Sequence, residues 1–335
     1  MAARANVRWG VLGAARIAVR HVIPAIQTCG HGRVEAIASR DLATAQQVAA
    51  QFEIGRAYGS YEALVEDPGI DAVYIPLPNH LHVPWSLRAI EAGKHVLCEK
   101  PIGLSAGEAR RLADAAARSP RLKVMEAFMY RFHPQWQRAR ELARSGAIGE
   151  VRAIHTWFSY FNADPQNVRN MKDIGGGALM DIGCYGISVA RFITGREPLR
   201  VTAISDLDPS FGTDRLTSAM LDFGDAVGSL TCATQLGRHQ RVDIGGSDGI
   251  IEIEIPFNPP IDRRCTIVLR QGDRVEPIAL ERANQFERQV AAFSCAIEAD
   301  QPVPTPLSDA IANMQVIDAV KGSAASRRWV ELVTP

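Results

Sequence analysis

Short apolar runs alternate with longer mixed stretches through the first third of the chain. Val7–Leu12 reads as a buried strand broken at Gly13, and a helix is expected from about Ile17 to Thr28. Val34–Ser39 is a second strand. Leu42–Phe52, rich in alanine and glutamine, and Tyr61–Glu66 read as helices, the second ended by Asp67-Pro68-Gly69. Asp71–Ile75 is a further apolar strand, stopped by Pro76-Leu77-Pro78. Val83–Ala92 is a helix closed by Gly93, and His95–Glu99 is a strand. Strands that are apolar on both faces, joined through helices by short connections, imply a parallel sheet covered on both sides. The expected fold of this part is α/β, a doubly wound parallel sheet.

After Lys123-Val124-Met125-Glu126 the period changes. Helices are expected at Pro134–Ser145 and Ala178–Thr194, but from Val201 onward the pattern is mostly strand. The runs Thr217–Phe223, Ala226–Ala233, Arg241–Gly245, Gly249–Ile255 and Arg264–Arg270 are separated by turns such as Phe223-Gly224-Asp225 and Ser247-Asp248-Gly249. Helices at Asn284–Ala299 and Ser308–Ser323 follow. A second, α+β domain with a mostly antiparallel sheet is therefore expected, with the boundary placed between 125 and 126: residues 1–125 and 126–335.

Composition narrows the function. The 335 residues carry 37 basic and 37 acidic side chains, a net charge of zero. That balance offers no electrostatic footprint for nucleic acid or an anionic membrane. No apolar run approaches the roughly 18 residues of a membrane helix. The first six residues lack the apolar core of a secretory signal. The six cysteines form no CxxC pair and read as free thiols in a reducing cytoplasm, with no metal or disulfide expected.

Gly13-Ala14-Ala15-Arg16-Ile17-Ala18 follows the first strand and matches G-x-G-x-x-G with alanine at the second and third glycine positions. Such a loop turns the chain tightly and presents helix N–H groups to a pyrophosphate. Gly10, Gly13, Ala14, Ala15, Arg16 and Ile17 are taken as the cofactor loop. The second strand ends in Ser39-Arg40-Asp41, where NAD enzymes carry an acid for the ribose 2′-hydroxyl. A hydroxyl followed by a guanidinium suits a 2′-phosphate instead. NADP is the expected cofactor and NAD the second candidate. A surface Arg40 stacked on adenine, or Asp41 accepting from a ribose, are the competing readings.

Strand ends on one edge of such a sheet form the ligand crevice. Pro76, Leu77, Asn79 and His82 follow one strand: Leu77 as a cover for the nicotinamide, Asn79 for its ribose, His82 in support. Glu99-Lys100-Pro101 follows the next, with Glu99 a candidate for the nicotinamide ribose and Lys100 a fixed cation. Downstream, Gly175-Gly176-Gly177 permits close backbone approach to cofactor or substrate, and Asp181 and Tyr185, four apart on a helix, share one face. Asp181 is either a buried structural acid or a ligand for a substrate hydroxyl. Tyr185 is either a core aromatic or a proton carrier, since a neighbouring lysine favours phenolate. Trp157, Phe158, Tyr160, Phe161, Asn162, Asp164, Arg169 and Asn170 form a polar, aromatic segment suited to lining a sugar pocket or to an exposed loop.

The glycine loop, Pro78-Asn79-His80-Leu81-His82, Glu99-Lys100-Pro101, Met129-Tyr130-Arg131-Phe132-His133-Pro134, the Gly175–Tyr185 block and Asn284-Gln285-Phe286 together resemble the glucose-fructose oxidoreductase / inositol dehydrogenase / rhizopine-catabolism family of NAD(P)-dependent oxidoreductases. The resemblance covers nearly the whole chain. It implies a Rossmann domain followed by a large open sheet that carries substrate on one face and often an oligomer interface on the other, hence a homodimer or homotetramer. It implies that Lys100 polarises the reacting hydroxyl, that Asp181 holds substrate, and that Arg131 helps to position substrate hydroxyls and cofactor. Tyrosine at 185, where many members have histidine, is similar to the D-xylose and dihydrodiol dehydrogenase branch. The expected reaction is NADP-dependent oxidation of a sugar or polyol, such as an aldose to its lactone, with Lys100, Asp181 and Tyr185 catalytic and Phe158 and Arg169 beside the substrate. A trans-dihydrodiol dehydrogenase or a sugar carbonyl reductase is the alternative within the family. A non-catalytic sugar or nucleotide sensor, or an NAD-dependent glycosidase, lies outside that reaction class.

Overall fold

The computed structural model describes residues 6–332, so the reading of the first residues as lacking a secretory signal lies largely outside them. The chain separates into two compact units: one runs to Met129 and regains Asn284–Ile311, the other comprises Tyr130–Ala283 and the chain from Ala312.

The first unit alternates strand and helix. Its strands are β1 (Val7–Leu12), β2 (Gly32–Ala38), β3 (Arg56–Tyr58), β4 (Ala72–Ile75), β5 (His95–Cys98) and β6 (Val124–Glu126). Between them lie α1 (Ile23–Thr28), α2 (Leu42–Gln51), α3 (Tyr61–Val65), α4 (His82–Glu91) and α5 (Ala106–Arg118). The strands pair in the order β3-β2-β1-β4-β5-β6, all parallel. Helix α5 lies in a stretch the apolar periodicity left unassigned. Ser105 starts it by accepting from the Glu108 amide, which satisfies one of the free donors of a helix N-terminus.

The returning segment corrects the expected boundary. Helix α8 (Gln285–Glu298) belongs to the first unit, where Phe293 packs 5.7 Å from the fully buried ring of Trp9 and Phe286 stacks at 4.8 Å on His21. Burying two large aromatic faces on β1 and α1 outweighs chain order.

The second unit holds a nine-stranded sheet ordered β14-β13-β12-β11-β7-β10-β9-β8-β15. Its members are β7 (Val151–Phe161), β8 (Arg200–Leu207), β9 (Asp214–Asp222), β10 (Val227–Ala233), β11 (Gln235–Gly246), β12 (Ile250–Ile253), β13 (Thr266–Gln271), β14 (Arg274–Ala279) and β15 (Val330–Glu331). Only β7 and β10 run parallel, so the sheet is mostly antiparallel as expected. The central strand β7 occupies the segment read as pocket lining or loop. Ile154, Thr156 and Phe158 are buried while His155 and Trp157 are exposed, which is the period of a half-covered strand. Helices α6 (Pro134–Arg144) and α7 (Cys184–Thr194) belong to this unit, and α9 (Leu307–Ser326) spans the division between the two. Among the described residues no helix is long and apolar enough to cross a membrane.

Candidate active site

In the first unit the expected cofactor residues gather at the C-terminal ends of the strands. The order reverses between β1 and β4, the switch point where ligands sit in such sheets. Gly13 leaves β1 with φ of 110°, its amide donating to Ala38 O at 2.8 Å. A Cβ there would lie 3.1 Å from Leu77 Cδ2, so the loop and the turn after β4 pack edge to edge. Only glycine accepts that φ without strain. Gly10, by contrast, lies inside β1 against Leu64 and Ile70, where a Cβ would come within 2.5 Å of Leu64 Cδ2. Its missing side chain serves sheet–helix packing.

The end of β2 fits a 2′-phosphate. The Ser39 hydroxyl accepts from the Asp41 amide at 3.3 Å. Asp41 caps α2: its carboxylate accepts from Ala43 N, Thr44 N and Thr44 Oγ1, and these bonds hold its pKa below the usual carboxylate range. These bonds make Asp41 the N-cap of α2. Arg40 is exposed, and its guanidinium interacts with the Tyr61 hydroxyl, which stands beside Gly13. A hydroxyl and a guanidinium beside a capped acid match NADP.

The turns after β4 and β5 are tied together by His82. Its ring is 1 % exposed, with Nδ1 2.8 Å from Pro101 O and Nε2 2.7 Å from Leu77 O. Burial pushes its pKa down to about 4, against the pull of the two carbonyls. As a neutral ring it has one N–H and donates to one carbonyl, and only as imidazolium would it donate to both. His82 thus fixes the backbone beside Leu77 and beside Lys100, whose bond to Pro101 is cis. Glu99 is oriented by Tyr74, whose hydroxyl donates to Oε1 at 2.8 Å. Sequence reasoning missed Tyr61 and Tyr74, because nothing local distinguishes them from core aromatics.

In the second unit the glycine block admits other parts of the chain. Gly176 N donates to Met171 O at 2.9 Å and Gly177 N to Arg169 O at 2.8 Å. A Cβ on Gly176 would stand 2.6 Å from Arg169 O, and one on Gly177 2.0 Å from Asp214 Oδ1. The glycines admit the chain's own 169–171 loop and the Asp214 carboxylate. Asp214, another residue missed from the sequence, accepts from the Leu179 amide at 2.8 Å and from Thr217 Oγ1 at 2.7 Å. It thereby anchors the π-helical turn Leu179–Gly183 that leads into α7.

That anchoring sets the polar and aromatic groups. Asp181 Oδ2 accepts from Tyr160 Oη at 2.5 Å and pairs with Arg169 Nε at 2.9 Å. The carboxylate's charge raises the Arg169 pKa, while burial, reinforced by the same charge, raises that of Tyr160. Asp181 is an ionised acceptor held by two fixed donors. Tyr185 is 4 % exposed and lies among rings, 4.9 Å from Phe257, 5.9 Å from Phe158 and 6.0 Å from Tyr130. Phe158 stacks on Phe257 at 4.9 Å and so supports Tyr185. Arg131 donates to Ser188 Oγ on α7 at 2.8 Å, and the Tyr130 hydroxyl shares that serine at 2.7 Å.

Residues 7–128 match the model of an oxidoreductase family with an NAD-binding Rossmann fold, and residues 136–252 match the GFO/IDH/MocA C-terminal domain. The chain belongs to the GFO/IDH/MocA family. It is an NAD(P)-dependent oxidoreductase with the Rossmann domain of that family. An uncharacterised oxidoreductase of Rhizobium meliloti is 47 % identical over 329 residues, covering 96 % of this chain and 98 % of its own. A D-xylose 1-dehydrogenase (NADP(+)) of Haloferax volcanii is 37 % identical over 97 % of this chain and 99 % of its own. The crystal structure of KijD10, a 3-ketoreductase from Actinomadura kijaniata in complex with NADP and TDP-benzene, superposes with a TM-score of 0.89 at 32 % identity, covering 95 % of this chain and 98 % of that one. All three are named as oxidoreductase, dehydrogenase or reductase, and the Haloferax volcanii relative is named for a sugar; the family is one of sugar-related NAD(P)-dependent oxidoreductases, as the motifs implied.

Proposed function

We propose that the chain oxidises the carbinol carbon of a sugar or related polyhydroxy compound with NADP in preference to NAD, as an aldose 1-dehydrogenase does in forming a lactone. The observation that carries this reading is the ionised Asp181 held between Tyr160 and Arg169, an acceptor built for sugar hydroxyls in an aromatic setting. Likeness to the Haloferax volcanii D-xylose dehydrogenase supports the substrate class, and the Ser39-Arg40 end of β2 supports NADP.

Gly13, Ala14, Ala15, Arg16 and Ile17 would hold the pyrophosphate, Ser39 and Arg40 the 2′-phosphate, and Pro76, Leu77, Asn79 and Glu99 the nicotinamide riboside. Bound NADP supplies the hydride acceptor. Tyr185 takes the proton of the reacting hydroxyl, Lys100 stabilises the developing alkoxide, and Asp181, with Arg169 and Phe158 beside it, orients the remaining hydroxyls. His82 acts from behind, through the Leu77 and Pro101 carbonyls. Likeness to KijD10 favours a second reading, the same chemistry run as reduction of a keto sugar.

A second copy of the chain is proposed to cover the outer face of the nine-stranded sheet, where Ile204 is 76 % and Met220 47 % exposed. Light scattering would show a dimer or tetramer, and Ile204→Glu would shift it towards monomer. A cytoplasmic location is proposed, in keeping with cysteines that form no disulfide among the described residues.

The test is absorbance at 340 nm with a panel of aldoses, polyols, trans-diols and nucleotide-linked keto sugars, with NADP(H) and NAD(H) in parallel. Turnover of D-xylose or D-glucose with NADP preferred, and loss of that preference in Arg40→Ala, is the expected result. Turnover of keto sugars alone would establish the reductase. Tight NADP binding without turnover of any member would count against catalysis of this class.

A further inference from the structure

A cluster of side chains remote from the dinucleotide loop has metal-ligand chemistry. His31, Cys295 and Glu298 bring an imidazole, a thiol and a carboxylate together in the first unit, their ligand atoms all within 4.8 Å of one another. His31 Nδ1 is 3.2 Å from Glu298 Oε2, and Cys295 Sγ is 3.4 and 3.6 Å from the two ring nitrogens. Cys295 and Glu298 are one turn apart on α8. His31 stands in the turn between α1 and β2, just after Gly30 with its φ of 73°. That turn enters β2 at its N-terminal end, whereas the dinucleotide residues lie at the C-terminal strand ends, so the cofactor chemistry leaves the cluster unused.

We propose that His31, Cys295 and Glu298 form a binding site for a divalent cation of the zinc class, which ties α8 to the turn before β2. Zinc prefers nitrogen and sulfur ligands in a tetrahedron, at about 2.0–2.1 Å to nitrogen and 2.3 Å to sulfur. Those bond lengths give nitrogen–oxygen edges of about 3.3 Å and nitrogen–sulfur edges of about 3.6 Å. The observed 3.2 and 3.4 Å to Nδ1 fall within a few tenths of an ångström of both. Sγ is 3.6 Å from Nε2 as well, so the Cys295 side chain must turn towards the Nδ1 lone pair and the Glu298 oxygen when the cation binds. A thiolate and an imidazole select against calcium and magnesium, which take oxygen ligands. Three protein ligands leave the fourth position to water. Cys29, half-buried, lies two residues before His31. Binding takes the proton from the Cys295 thiol and releases it to solvent. The site would reinforce the docking of the returning segment, which Phe293 and Phe286 hold by packing and Asp300 by its ion pair with Lys123 at 2.7 Å.

The full chain, stripped with a chelator and kept free of NADP, is titrated with cobalt(II) as a spectroscopic substitute for zinc. One equivalent per chain is expected, with a sulfur-to-cobalt charge-transfer band and the visible bands of a tetrahedral site, both erased by zinc. Cys295→Ser should lose the charge-transfer band and His31→Gln should weaken binding at least tenfold, while both variants keep NADP affinity. Zinc at a hundred times its Kd should raise the thermal midpoint of the wild type by about 4 °C and leave that of Cys295→Ser unmoved. A folded wild type without the cobalt band, or a band that survives in both variants, overturns the site. Neither result bears on sugar oxidation.

Discussion

Individual residues carry chemistry only when their neighbours are known, and the chain shows this at three positions. Lys100 and Tyr185 are proposed as catalytic on flanking motifs that are unusual. Lys100→Met should lower kcat by roughly 10²–10³ while leaving Kd for NADP within a few-fold, since the role proposed for the side chain is alkoxide stabilisation. Tyr185→Phe removes one oxygen and keeps the packing against Phe257, so a fall in kcat of about 10²–10⁴ without a change in thermal midpoint is expected. Near-normal kcat in either variant would remove that residue from the mechanism. His82 was legible only as a supporting group, because its two carbonyl partners come from turns that sequence cannot bring together. With its pKa pushed down to about 4 by burial, the fold holds fewer protons here than the unfolded chain, whose histidine titrates near 6.5. Stability from this residue is therefore complete above 6.5 and is lost as pH falls towards 4. The loss at pH 5 relative to pH 7 should be about 2 kcal/mol. Urea midpoints of the wild type and His82→Gln across this range measure it. A wild type that gains stability on acidification would show instead that the two carbonyls hold the imidazolium.

At the scale of elements, the helix bearing Asp181 and Tyr185 was anticipated but the reason for its glycines was not. A run of three glycines states that something comes close without saying what. Here it is the chain itself: the 169–171 loop, which delivers Arg169 to Asp181, and Asp214, which caps the helix from β9. Gly177→Ala would place a methyl group 2.0 Å from Asp214 Oδ1 at a φ of 113°. The strain and the displaced carboxylate together should cost roughly 2–4 kcal/mol. Thermal unfolding checks the stability. Substrate KM should rise with it, because Arg169 and Asp181 lose their common support, and unchanged stability together with unchanged KM would refute the link. Strand β7 illustrates the opposite case. Thr156 to Phe161 mixes polar and aromatic side chains, and its true period is visible only once Trp157 is known to face outward and Phe158 inward towards Phe257.

At the scale of the whole molecule, chain order and fold diverge. The change of hydrophobic period near Glu126 correctly announced a second unit, but no local pattern says that Asn284–Ile311 rejoins the first. The information lies in pairs far apart in sequence, Trp9 with Phe293 and His21 with Phe286, and the same separation hid the cluster of His31, Cys295 and Glu298. The consequence is testable. A chain ending at Ala283 keeps every residue proposed to touch NADP, from Gly13 to Glu99, yet uncovers the buried face of Trp9 that Phe293 of α8 packs against. Exposing roughly 200 Å² of aromatic and aliphatic surface at about 25 cal/mol per Å² costs on the order of 5 kcal/mol, comparable to the whole stability of a typical domain. The truncated chain should therefore lose NADP binding, measured by fluorescence titration, along with a cooperative unfolding transition. Retention of wild-type affinity would mean that the strand and helix segments up to Met129 fold without α8, and that the returning segment is an addition to the first unit and no part of its core.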